Sequence, residues 1–231
     1  MDPLQAIIFF DLDNTLVGIE DSHNFFDSII VDVFDKFNIP PPTDEERNQL
    51  WRNSDYKKLL RSWNFPDPFV FWKTFDEFDL KYRKELYIQG KLLVFEDVIP
   101  TLMKLSYIKD LRLILITNSS FEITEFEMES FGLKQYFHEI LALGDTQEDC
   151  KPNPKRILQT LESLSSKFRF SRNKVFIVGD SPFDISAGKN ADIISILIKR
   201  WEKSHKRWTD LPNHTITNLE QLISILQLDM I

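Results

Sequence analysis

Ala6-Ile7-Ile8-Phe9-Phe10-Asp11-Leu12-Asp13-Asn14-Thr15 is the stretch that decides the fold. Its apolar, β-prone first half reads as a strand buried on both faces, the kind a parallel sheet requires. The polar half falls at the C-terminal end of that strand, where open α/β sheets place their ligands. Asp11 and Asp13 are two apart and share a face if the strand continues. Two such carboxylates can divide a reaction, one as nucleophile and one as proton carrier. The same residues also suit a plain acidic turn, because Asp and Asn favour turns.

Three later segments repeat the pattern. The apolar run Leu111–Ile116 leads directly into Thr117-Asn118-Ser119-Ser120. Lys151-Pro152-Asn153-Pro154 lies in a polar loop after Ile140–Leu143. Val175-Phe176-Ile177-Val178 ends in Gly179-Asp180-Ser181-Pro182-Phe183-Asp184. Each has a structural reading of its own: Thr117-Asn118 as a helix cap, Lys151 as a surface lysine, Asp180 and Asp184 as turn and cap acids. Their order and chemical types together favour a site.

The strand-like runs near residues 6–10, 111–116, 140–143, 175–178 and 193–198 alternate with helical patterns over 100–109, 120–131, 154–166 and 184–190. This alternation predicts an α/β protein with helices on both faces of a parallel sheet. Residues 17–91 break it. Phe25, Ile29, Val33 and Phe37 recur at four-residue intervals, with Phe26, Ile30 and Phe34 beside them, which predicts a broad apolar helical stripe. Pro40-Pro41-Pro42 stops that helix, and Thr43 with Glu46 has the spacing of a capping box opening another, expected to run to about Arg61. A third helical stretch falls between Asp67 and Gln89. Trp51, Trp63, Phe65, Phe69, Phe71, Trp72, Phe75 and Phe78 crowd this insertion, most of them as its own core. The loop Trp63-Asn64-Phe65-Pro66-Asp67-Pro68 is the candidate for lining a substrate cleft. Gly18 and Gly90 suit hinges at its two ends.

With these segments in this order the chain resembles the haloacid dehalogenase-like superfamily. Asp11, Asp13 and Thr15 match its first motif, Asp-x-Asp-x-Thr/Val, and Thr117 its second. Lys151 matches its third, and Gly179, Asp180 and Asp184 its fourth, Gly-Asp-x-x-x-Asp. The resemblance covers the whole chain. It implies a Rossmann-like parallel-sheet core made of residues 1–16 and 92–231, with residues 17–91 as an inserted small helical cap domain. It also implies Asp11 as nucleophile and Asp13 as general acid/base; the family's dehalogenases lack this second Asp, so Asp13 points to a phosphoric monoester phosphatase. Thr117, Asn118 and Lys151 become the substrate-binding residues that hold phosphate oxygens. Asp11, Asp13 (through its backbone carbonyl), Asp180 and Asp184 become the metal site, for Mg²⁺, with Asp184 acting either through water or by orienting Lys151. The implied activity is hydrolysis of a small phosphorylated metabolite through an aspartyl-phosphate, phosphoglycolate phosphatase-like. Phosphomutase-type transfer and a catalytically idle partner-binding domain stay as alternatives.

Composition narrows the partners. The 231 residues carry a formal charge of −8, which argues against nucleic-acid or anionic-membrane binding. Lys199-Arg200 with Lys203–Arg207 forms the one basic cluster and is expected to be a solvated surface. Cys150 is the single cysteine, so no intrachain disulfide can form, and a reducing cytoplasm is the expected location. No signal peptide or spanning segment is expected. His23, His138, His205 and His214 lack metal-ligand spacing. Oligomeric state is not readable.

Overall fold

A computed structural model describes residues 2–51, 55–200 and 210–226. In chain order, β1 (Asp2–Pro3), β2 (Ala6–Phe10) and β3 (Val17–Ile19) precede four helices, α1 (Ser22–Lys36), α2 (Asp44–Leu50), α3 (Tyr56–Ser62) and α4 (Pro68–Ile88). Then come β4 (Leu92–Val94), α5 (Val98–Ser106), β5 (Leu111–Thr117), α6 (Phe121–Ser130) and β6 (Glu139–Ala142). The chain continues through α7 (Lys155–Ser165), β7 (Phe168–Arg169), β8 (Val175–Gly179), α8 (Pro182–Asn190), β9 (Ile194–Ile198), β10 (His214–Ile216) and α9 (Gln221–Leu226).

Six of the strands form one sheet in the order β10-β9-β8-β2-β5-β6, with every neighbouring pair parallel. β2 lies at its centre, in register with Leu111–Leu115 on one side and Val175–Val178 on the other. All five of its residues are fully buried, as the unbroken apolar run requires. The chain steps outward from β2 to β5 and β6, then returns to β8 on the opposite side. That reversal makes β2 a topological switch point and opens a crevice beyond its C-terminal end. One face of the sheet buries Ile7, Phe9, Ile114, Ile116 and Ile177 with Ile157, Leu161 and Ala187 from α7 and α8. β10, with only three residues and His214 and Thr215 exposed, carries too short an apolar run to stand out in the sequence.

The chain divides into two compact units, residues 1–18 with 94–231, and residues 19–93. The divisions fall inside β3 and β4, which pair as a two-stranded ribbon. The helical unit closes over Ile29, Ile30, Val33 and Phe34 of α1, Leu59 and Leu60 of α3, and Phe71 and Phe75 of α4. The helix expected to run from Thr43 to Arg61 is instead two. The capping box at Thr43 and Glu46 opens α2, and the Asp55 side chain accepts a hydrogen bond from the Lys58 N–H to open α3.

The Trp63-Asn64-Phe65 loop also differs from expectation. Trp63 and Phe65 are 9 % and 2 % exposed, edge-on to Phe34, and Phe65 also meets Phe37 and Phe71. They complete the unit's own core, since a small domain needs its largest side chains inside. Among the described residues no helix is long and apolar enough to cross a membrane.

Candidate active site

The site belongs entirely to the α/β unit and is assembled by strand ends. Asp11 follows β2, and its N–H donates to the Val178 carbonyl at 2.9 Å, which extends the ladder by one step. The chain then turns: the N–H groups of Thr15, Leu16 and Val17 all donate to the Leu12 carbonyl, and Asn14 takes the left-handed conformation at φ 53°. Asn tolerates that region better than most residues. The turn brings the Thr15 hydroxyl to Asp11 Oδ2 at 3.3 Å.

Lys151 enters from the loop after β6, 140 residues from Asp11 in sequence. Its Nζ donates to Asp11 Oδ1 at 2.5 Å, to Asp184 Oδ1 at 2.6 Å and to the Ile116 carbonyl at 3.0 Å. The ammonium therefore has all three protons placed, as a buried cation requires. Asn118 fixes the Lys151 backbone from both sides: its Oδ1 accepts from the Lys151 N–H at 2.8 Å and its Nδ2 donates to the Lys151 carbonyl at 3.1 Å. Asn118 thus holds the lysine in place through its backbone. The Thr117 hydroxyl, buried at the end of β5, accepts from the Ser119 N–H at 3.1 Å.

Asp184 is fully buried near the start of α8. Its Oδ2 accepts from the Ser181 N–H at 3.0 Å and from the Ser181 hydroxyl at 2.5 Å, closing a capping box, while Oδ1 turns to Lys151. Gly179 makes this approach possible: a Cβ there would lie 2.1 Å from Asp184 Cγ. Asp11, Asp180 and Asp184 each offer a carboxylate oxygen, and the three oxygens lie within 4.8 Å of one another. Both oxygens of Asp184 already hold protein donors, so it serves this cluster first as the anchor of Lys151.

Burial pushes the Asp11 carboxyl up, to about 7, with Asp184 and Asp13 adding to the effect and the Lys151 ammonium opposing it. Burial works against the Lys151 charge too, but Asp11 and Asp184 more than offset it and raise its pKa.

Two residues of the site carry no motif in the reading above. The Ser119 hydroxyl donates to Asp13 Oδ2 at 2.8 Å, and Ser181 holds Asp184. Ser181 was legible as the first member of a Ser-Pro-x-Asp capping pattern; Ser119 was one hydroxyl in a run of four polar residues. The basic cluster also changes meaning. Lys199 is exposed, but the Arg200 side chain is only 5 % exposed and pairs with Asp97. Lys203–Arg207, with His205, lies outside the described residues. His23 bonds Asn48 at an exposed position, His138 accepts from the Leu113 N–H, and His214 sits exposed on β10.

Residues 8–198 match the family of haloacid dehalogenase-like hydrolases. A phosphoglycolate phosphatase from Aquifex aeolicus is 29 % identical over 172 residues, 74 % of this chain and 68 % of that protein. The pyrophosphatase PpaX of Halalkalibacterium halodurans is 30 % identical over 125 residues, 53 % of this chain and 55 % of that protein, so the match spans about half its length. In fold, the chain is similar to the crystal structure of a predicted phosphoglycolate phosphatase from Haemophilus somnus, with a TM-score of 0.68 at 20 % identity, covering 95 % of this chain and 97 % of that one. The chain belongs to the haloacid dehalogenase-like hydrolase family, among that family's phosphatases.

Proposed function

We propose that the protein is a Mg²⁺-dependent phosphatase of a small phosphorylated metabolite, working through an aspartyl-phosphate on Asp11. The observation that carries the reading is the convergence of Asp11 and Asp184 on the buried Lys151 ammonium, with the Asp13 and Asp180 carboxylates beside them in sequence. A nucleophilic carboxylate, a fixed cation and further carboxylates at one strand edge are what attack on a phosphate monoester requires.

In the first step an Asp11 oxygen forms a bond to phosphorus as the ester P–O bond breaks, and Asp13 gives its proton to the leaving alkoxide. In the second, Asp13 takes a proton from water as that water attacks the aspartyl-phosphate, releasing phosphate and restoring Asp11. Ser119 keeps the Asp13 carboxyl oriented for both transfers. Lys151 holds negative charge on the transferring group, and Thr117 with nearby backbone N–H groups supplies neutral donors.

The donor set suits a hard divalent cation, being all oxygen and mostly carboxylate. Asp11, Asp180 and, by family resemblance, the Asp13 backbone carbonyl would hold it; when bound it offsets the charge of clustered carboxylates and phosphate. The substrate class draws support from the relatives, one named for phosphoglycolate and one for pyrophosphate. The helical unit, residues 17–91 by sequence pattern, is assigned substrate selection, and a reducing cytoplasm suits the single free thiol of Cys150.

The test is phosphate release over a panel that includes 2-phosphoglycolate and pyrophosphate, with Mg²⁺ and with excess chelator. Turnover should need the ion, and Asp11→Asn should lower kcat by at least about a thousand-fold with its circular dichroism unchanged. Full turnover in chelator contradicts the metal assignment. A folded and active Asp11→Asn protein contradicts the covalent route.

A further inference from the structure

Arg200, just after β9, stands at the centre of a buried cluster that the mechanism above does not use. Its Nη1 donates to both oxygens of Asp97, at 2.8 and 2.7 Å. Its Nε and Nη2 both donate to the Thr15 carbonyl, at 3.0 and 2.7 Å. The guanidinium also lies 4.3 Å from the centre of the Phe95 ring. That ring also meets Gly18 so closely that a Cβ there would lie 2.7 Å from Phe95 Cζ. Asp97 in turn accepts from the Leu219 N–H at 2.6 Å.

Three stretches far apart in sequence are thus tied to one planar cation: the turn after Asp11, the segment after β4, and the start of the C-terminal region. Thr15 is fully buried, so its carbonyl needs a donor, and the guanidinium supplies two N–H groups. The Thr15 hydroxyl faces Asp11 Oδ2, so the guanidinium is two bonds of contact away from the nucleophile. Only a rigid fork can grip a carbonyl with two N–H groups and a carboxylate with a third nitrogen at once; an ammonium is a point donor on a flexible stem.

We propose that Arg200 is a positioning residue for the Asp11 nucleophile, acting by its grip on Thr15, which is passed on to Asp11 through the Thr15 hydroxyl. The proposal rests on Asp11 being the nucleophile. Arg200 sets where Thr15 lies, and the Thr15 hydroxyl sets which way the Asp11 carboxylate faces phosphorus. A displacement of that carboxylate costs rate without costing substrate affinity.

The experiment measures kcat, KM and melting temperature for the wild type, Arg200→Lys, Thr15→Val and the double variant, on a generic phosphate ester with Mg²⁺, well below every melting point. Arg200→Lys should lower kcat about ten- to a hundred-fold with KM changed only a few-fold. In the Thr15→Val background the same substitution should cost much less, because the path to Asp11 has already been cut. Losses that multiply, or a lowered melting temperature with unchanged kcat, would make Arg200 a structural residue and overturn the proposal. Should Arg200→Lys fail to fold, Asp97→Asn decides: it loosens the guanidinium in place, and an unaltered kcat overturns the proposal equally. An inactive wild type, by contrast, defeats the phosphatase reading itself, and this proposal with it.

Discussion

Two helices in this protein open with the same device, one in each unit. In the helical unit, Thr43 and Glu46 exchange hydrogen bonds at the start of α2, and both are exposed. In the α/β unit, Ser181 and Asp184 do so at the start of α8, but Asp184 is fully buried and its second oxygen holds Lys151. The local chemistry is the same, a hydroxyl and an acid three residues apart satisfying helix N–H groups. Burial changes its consequence. In water, the acid's second oxygen meets solvent and its charge matters little. Buried at the strand ends, that oxygen must find a cation, so the cap and the candidate catalytic lysine become one structure.

Removing the acid on each side should separate the two most. Asp184→Ala leaves Lys151 with one carboxylate where it had two, in a buried setting. Breaking such an arrangement costs about 3–5 kcal/mol of stability, and a loosened Lys151 should lower kcat on the order of a hundred-fold. Glu46→Ala should leave kcat unchanged. Chemical denaturation and steady-state kinetics on both variants check this, and a stable, fully active Asp184→Ala protein would put both boxes in the same class.

Removing the hydroxyl gives a smaller and sharper contrast. Ser181→Ala and Thr43→Ala should each lose about 1 kcal/mol of helix-start stabilisation. Only Ser181→Ala should also slow turnover, by roughly five-fold, the rate equivalent of about 1 kcal/mol. Equal kcat values for the two variants would show that Asp184 is held in place without its cap.

The smallest effect is electrostatic and confined to the exposed box. The Thr43 backbone N–H and hydroxyl hold the Glu46 carboxyl below its ordinary 4.5. A group depressed in the folded state contributes stability that is fully present above its unfolded pKa and is lost as pH falls through the folded one. The melting-temperature gap between wild type and Thr43→Ala should therefore be widest above 4.5 and narrow below it. A gap that does not change across that boundary would assign the whole effect to hydrogen-bond geometry.

Local signals were legible wherever a short window contains the cause. The run Ala6–Phe10 is apolar without interruption because both faces of a central parallel strand are covered, and it became β2 residue for residue. Thr43 and Glu46 formed their box because its partners are three residues apart. The one long helix expected after Thr43 is two, and Asp55 caps the second, a signal outside the Thr43–Glu46 window on which the expectation rested.

The sequence by itself determined the α/β class, the family and the chemical types that meet at the strand ends, because strand periodicity and motif spacing are properties of neighbouring residues. Tertiary structure alone decided which partner each of those groups holds. Asp184 and Asn118 lie in separate polar segments of the sequence, and both fasten Lys151, 33 residues from each. Trp63 and Phe65 could have faced a ligand, yet they fill the helical unit's core. Arg200 reads as one cation in a solvated cluster, yet it grips Asp97 and Thr15, 103 and 185 residues away. The physical reason is the same in each case: a buried polar group must be satisfied, and the partner that satisfies it is set by how distant segments pack.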